Sequence, residues 1–270
     1  IEPSWSVSSI ISCFLASYGF SLITTVISGV LVGALCGLLT GIVFVFIGRV
    51  KLLSGLISFF VLTSLGFHIL GDSATISLDS DSRFGFSNNS WSLVFYYFIS
   101  MLGFLVVVFW QRTNTGIKAR LIGDKPQSTR VFNFSINGHV ILGLILSNAL
   151  VGLGGCLFGL YEGIATNSQG IGHILIVFFS LLCGDEILKI SKITSRSIPF
   201  SIIVGSLVYS SLFNVSQSLI ADFQRNFSEN SYINNLINAN DTYLILGISL
   251  LLILRARSTT RKDKRIISEW

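Results

Sequence analysis

Residues 22–47 carry no charged side chain, and the run is longer than the roughly 20 apolar residues that cross a bilayer as an α-helix. Comparable apolar runs follow at residues 52–70, 92–110, 139–163, 171–188, 198–220 and 242–254, with a shorter one at 7–18. A chain that repeats such a segment needs lipid around it. Only 11% of its residues are charged, whereas a soluble domain carries about a quarter. The expectation is an all-α polytopic membrane protein, a single domain over residues 1–270 with about seven or eight transmembrane helices.

Lysine and arginine set the topology. Segments 48–51, 111–138, 189–197 and 255–270 fall on one side if the spans alternate. Together they hold all of the 18 basic residues except Arg83 and Arg225. Such asymmetry is the positive-inside pattern, so these loops and the basic C-terminal tail are expected in the cytoplasm. Loops 71–91 and 221–241, rich in Ser and Asn, take the outer face. The net charge of +5 follows from this arrangement and gives no support to nucleic-acid binding. Ile1 in place of a methionine, with a short first span after it, suggests a segment preceding the chain. A cleaved signal peptide fits less well, since residues 1–6 do not look like the start of a secreted domain.

Four cysteines, Cys13, Cys36, Cys156 and Cys183, lie far apart within spans and form no CxxC pair. They read as small buried hydrophobes, with no metal or disulfide framework implied. Two Asn-x-Ser sequons, at Asn88 and Asn226, are of the kind that chance supplies in an Asn/Ser-rich chain. Ionisable residues near the spans are few: His68, Asp72, Glu162, His173, Asp185 and Glu186. Asp185 and Glu186 read as an interfacial pair facing Lys189, Lys192 or a partner, and the histidines as hydrogen-bonded packing residues. No staged series of acids suggests a proton relay. There is no HExxH, GxSxG or Walker A motif, so no catalytic residue is expected and any ATP hydrolysis belongs to a separate chain.

Glycine recurs every fourth residue at Gly29, Gly33, Gly37 and Gly41, and again at Gly155, Gly159 and Gly163, a row that Gly143 and Ser147 extend. That spacing keeps each set on one helix face, where a neighbouring backbone can approach closely. The ridges read either as helix packing or as the flank of a central pathway, and the sequence does not choose. Proline is absent from mid-span; Pro199 sits in a first helical turn, where its missing N–H costs nothing.

Polar residues 111–138 interrupt this apolar chain with Arg112, Lys118, Arg120, Lys125 and Arg130. Within them, TNTGIKARLIGDKP at residues 113–126 resembles the T-x-x-G-x-x-x-R-x-x-G-D-x-P loop of permease subunits of bacterial ABC importers. The likeness is to the branched-chain amino acid and sugar importer superfamily, and within it to tryptophan- or tyrosine-type uptake permeases. LGLILSNALVGLGGCLFGLYEGIATNSQGIG, from Leu142, continues the resemblance. So do LVGALCGLLTGIV from Leu31, VGSLVYSSL from Val204 and NANDTYLILGISLLLIL from Asn238. Glu162 stands where the family usually has Gln, Cys183-Gly184-Asp185 replaces Ile-Gly-Glu, and Thr242 stands near a usual Lys.

The resemblance implies a type II-like importer permease fold in the bacterial cytoplasmic (inner) membrane. Two permease copies would form the pathway, two ATPase subunits would dock in the cytoplasm and bind the ATP, and a periplasmic or lipid-anchored binding protein would deliver solute. No cofactor is implied for this chain itself. Segment 111–138 becomes the coupling loop, with Thr113, Gly116, Lys118, Arg120, Gly123 and Asp124 meeting the ATPase. Gly116 and Gly123 would allow tight turns, and Asp124 would cap a following short helix over Pro126. Lys118 and Arg120 would supply charge-assisted bonds. Asn148, Glu162, Gly33, Gly37, Gly155 and Gly159 are candidate pathway residues, although Asn148 suits a helix–helix hydrogen bond equally well. The leading function is a permease for a small solute, with an amino acid among the candidates. A self-contained secondary transporter and a non-transport membrane scaffold are the alternatives; the first requires ion sites and inverted repeats, which are not evident.

Overall fold

In the computed structural model, residues 2–47, 50–78, 90–124, 135–190 and 202–211 are described, with single positions 214 and 218. They divide into two units, Ile1–Gly172 and His173–Trp270. In chain order the first unit contains α1 (Glu2–Ser17), α2 (Leu22–Phe46), α3 (Lys51–Leu70) and the strand β1 (Thr75–Ser77). It continues with α4 (Ser90–Arg112), α5 (Asn114–Asp124), α6 (Ile136–Glu162) and the strand β2 (Ile164–Thr166). The second unit contributes α7 (His173–Ile190) and a shorter helix, α8 (Ile202–Ser211).

Among the described residues, Leu22–Phe46, Leu52–Leu70, Val94–Arg112 and Ile136–Glu162 are long and apolar enough to cross a membrane. The polytopic helical architecture read from the sequence is therefore present. The span expected at 242–254, the tail 255–270 and the remainder of 198–220 lie outside the described residues. So do residues 125–134 of the polar insert and most of the 71–91 loop. In α8, Ser206, Ser210 and Ser211 each donate to a carbonyl one turn back (Ile203, Ser206 and Leu207), which lets hydroxyls sit in an apolar helix.

The first unit is built around α6. A Cβ on Gly33 would collide with the Asn148 carbonyl and on Gly37 with that of Leu144, while Gly29 faces Cys156 and Gly41 faces Ile141. As the residue number rises along α2 it falls along α6, so the two helices are antiparallel. No side chain separates their backbones at the crossing. Between membrane helices, where lipid is as apolar as leucine, such close van der Waals contact is what favours association. Helix α1 lies on a neighbouring face of α6 and runs parallel to it: Ser4 reaches Asn148, Trp5 covers Gly154 and Gly155, and Ser9 meets Gly159.

Helix α1 begins at Glu2, earlier than the span expected at 7–18. Its serines explain the difference. Ser4, Ser6, Ser8, Ser9 and Ser12 are all buried. Serine lowers the apolar score of a segment, but a small hydroxyl packed against protein rather than lipid is no obstacle to a buried helix.

Strands β1 and β2 pair antiparallel, Thr75 with Thr166, Ile76 with Ala165 and Ser77 with Ile164. The pair joins the C-terminal end of α3 to that of α6 and covers a cluster of Ile10, Cys13, Ala16, Leu70, Leu78, Cys156, Leu160 and Ala165. Three-residue strands leave no alternation for a sequence to display, so the sequence gives no sign of this contact. Tyr96, early in α4, meets Tyr161 late in α6 at a centroid distance of 5.9 Å, which makes these helices antiparallel as well. Consequently α5, which follows α4, sits at the end of the unit opposite the strand pair. Arg112, Lys118 and Arg120 belong to the α5 end, and Asp72 and Glu162 to the strand end. Among the described residues of this unit, those cations and acids therefore stand at opposite ends.

Candidate functional site

The polar insert folds as a helix break followed by a short helix. Helix α4 continues to Arg112, Thr113 forms the bend, and α5 starts at Asn114. Thr113 makes the break orderly. Its hydroxyl donates to the Trp110 carbonyl at 2.6 Å, while Gly116 N–H donates to that same hydroxyl oxygen at 3.3 Å. One side chain thus serves the last turn of α4 and the first turn of α5, whose initial N–H groups have no carbonyl partner within their own helix. Gly116 is buried, and a Cβ there would strike the Trp110 carbonyl and Gln111 Cα. Gly116 is itself helical, so the tight turn expected there does not form; its place beside the Trp110 carbonyl requires the absence of a side chain.

Gly123 differs. It lies inside α5, and a Cβ added there would meet nothing within 4 Å, so no turn depends on it. Asp124 is the final residue of α5, and the stretch it is expected to cap lies outside the described residues. Arg120 is exposed and reaches back across the bend, its Nη2 donating to Gln111 Oε1 at 3.1 Å. Lys118 occupies the same short helix. Two residues that the sequence motif does not single out, Ile117 and Leu121, remain 48% and 47% exposed one helical turn apart. Their i, i+4 apolar spacing inside an otherwise polar insert is the signal that marks them. Helix α5 therefore presents two apolar side chains beside a guanidinium, a combination suited to docking against protein.

The residues read as pathway candidates gather elsewhere. Gly33, Gly37 and Asn148 meet at the α2–α6 crossing, while Gly155 and Gly159 face α1. Asn148 is only 2% exposed; it accepts from Ser4 Oγ at 2.8 Å and donates to the Leu144 carbonyl at 2.9 Å. The structure thus places it in a helix–helix bond. Glu162 ends α6, exposed and apart from the others. Gly143 has open space beside it and Ser147 is exposed, so neither extends the packed row. Gly152 takes that place instead, against the Gly29 carbonyl and Gly33 Cα. A helix of 3.6 residues per turn drifts away from strict fourth-residue spacing, so the contact stripe follows Asn148, Gly152, Gly155 and Gly159.

Along α1 lies a second set of polar contacts that the sequence does not reveal. Ser6 Oγ accepts from Gly170 N–H at 2.9 Å, Ser9 Oγ donates to Gln169 Oε1 at 2.9 Å, and Glu2 Oε1 accepts from Gly172 N–H at 3.0 Å. Cys13, Cys36 and Cys156 are buried and unbridged. Among the described residues no three His, Cys, Asp or Glu side chains are grouped as metal ligands would be.

Comparison with known proteins adds a family. A family model described as the permease component of the branched-chain amino acid transport system matches residues 5–256. A tyrosine transport system permease protein of Clostridioides difficile (strain R20291) is 28% identical over 218 residues, covering 81% of this chain and 72% of that protein. No solved structure matches the chain significantly.

Proposed function

This chain belongs to the family of branched-chain amino acid transport system permease components, and we propose accordingly that it forms the membrane pathway for an amino acid, with α5 as its contact to a separate ATPase. It is a membrane-embedded permease subunit of an ABC importer. The amino acid reading draws on the family description and on the tyrosine transport named for its relative. The carrying observation is the α4–α5 junction. There Thr113 and Gly116 fix a short helix at the basic end of the bundle, with Ile117, Leu121 and Arg120 exposed.

In this reading the α5 end faces the cytoplasm of a bacterial cell, as the distribution of lysine and arginine supports. Ile117 and Leu121 enter an apolar groove of the ATPase, while Arg120 and Lys118 bond its rim. The β1–β2 end faces outward toward a periplasmic or lipid-anchored binding protein. A second copy of the permease completes the pathway, and ATP is bound and hydrolysed on the partner chain.

Gly123 offers a clean test, because its open surroundings allow a larger side chain without disturbing the helix. Gly123→Glu and Arg120→Glu proteins should reach the membrane in normal amounts yet fail to co-purify with the ATPase and fail to support uptake. Normal ATPase binding and uptake in both variants would remove α5 from the coupling role.

A further inference from the structure

Residues Asn167–Gly172 leave β2 and turn back into the bundle instead of continuing away from it. Their bonds trace the route. Gln169, Gly170 and Gly172 meet Ser9, Ser6 and Glu2 in that order, so the segment runs antiparallel along α1 for about 10 Å of helix length. On its other side Asn167 Nδ2 donates to the Thr63 carbonyl, within α3, at 3.0 Å. Gly170 lies so close to α1 that a Cβ would strike the Glu2 carbonyl. Gly172, at the far end, has φ of 90°, and a Cβ added there would meet nothing within 4 Å.

This contact is attached differently from the rest of the first unit. Polar groups hold it, and one of its own is unpaired: Asn167 Oδ1 is buried against Gly66 of α3 without a hydrogen-bond partner. An unpaired buried polar group is costly and calls for an explanation, most of all away from water. A second arrangement in which the Asn167 side-chain oxygen finds a partner supplies one.

We propose that Asn167–Gly172 is a re-entrant strap, latched to the serine face of α1 in this structure, that leaves α1 during the transport cycle. The strap pivots at Gly172, with the β1–β2 pair anchoring its other end. Its departure uncovers Ser6 and the Glu2 carboxylate, polar groups able to hydrogen-bond the carboxylate and ammonium of an amino acid. The proposal rests on the permease reading above.

The test uses the permease–ATPase complex in proteoliposomes, with the four native cysteines replaced and Ser9→Cys and Gln169→Cys introduced. A short, reducible bis-methanethiosulfonate should link the two positions in the resting complex, abolish uptake without releasing the ATPase, and allow uptake to return on reduction. Failure to link, or full uptake by the linked complex, overturns the strap. In the Gln169→Cys single variant, labelling by a membrane-impermeant maleimide should differ between nucleotide-free and vanadate-trapped complexes; equal labelling also overturns it. The labelling needs no solute. Should the native complex take up nothing, the permease reading falls, and labelling alone then judges the strap.

Discussion

Two seams of the first unit are held together by different physics. Where α2 crosses α6, Gly33, Gly37 and Gly152 bring backbone against backbone. Where α1 meets the 167–172 segment, Ser6 and Ser9 bond Gly170 and Gln169, and Asn167 Oδ1 stays unpaired. The α1–α6 contact is mixed, with Gly155 against the Trp5 carbonyl and Ser4 bonded to Asn148. A close-packed seam has one good arrangement, and any displacement forfeits its dispersion contacts. A hydroxyl seam can exchange partners at modest cost, because membrane interhelical hydrogen bonds average only about 0.6 kcal/mol. The first seam is suited to remain a fixed scaffold, and the second to open.

Overfilling the scaffold should challenge that contrast most severely. Gly33→Leu or Gly37→Leu drives a side chain into the carbonyl of Asn148 or Leu144. The expected penalty is on the order of 3 kcal/mol or more, at or beyond the upper end of ordinary overpacking. Loss of folded protein in fluorescence size-exclusion chromatography would check it. Gly170→Ala should act more locally, at about 1–3 kcal/mol, since its methyl meets the Glu2 carbonyl. Folded yield should persist while uptake drops. If Gly170→Ala instead unfolds the protein as Gly33→Leu does, the two seams are not distinct.

Smaller still is Ser4→Ala, which removes the donor to Asn148 Oδ1. A cost of about 0.6–1.7 kcal/mol is expected from membrane double-mutant cycles, readable as a modest fall in thermal stability in detergent. Gly143→Ala should come last, within about 0.5 kcal/mol of the native protein, because its surroundings are open. A large effect there would show that the packed stripe on α6 runs elsewhere.

The sequence displays some of this and conceals the rest for identifiable reasons. Apolar runs long enough for a bilayer announce α2, α3, α4 and α6, and the glycine spacing of α2 marks its packed face. The glycines of α6 are only half legible, since strict fourth-residue counting selects Gly143 and passes over Gly152. The start of α1 is obscured because serine lowers hydropathy even where it is buried against protein. In the polar insert, Gly116 is legible from its place in the motif, whereas Gly123 looks similar but stands in open space. The strap is not legible at all. Its bonds join residues such as Ser6 and Gly170 that are remote in the chain, and two of them use backbone N–H groups that every sequence has.

Uptake into proteoliposomes is the decisive measurement for an ATP-driven amino acid permease. The chain is reconstituted with its ATPase and binding protein, and accumulation of radiolabelled tyrosine and branched-chain amino acids is followed with and without ATP inside. The expected result is accumulation of an amino acid that requires ATP and the ATPase and is lost with Gly123→Glu. Accumulation by the purified chain alone, driven by an ion gradient without any ATPase, would contradict the permease assignment.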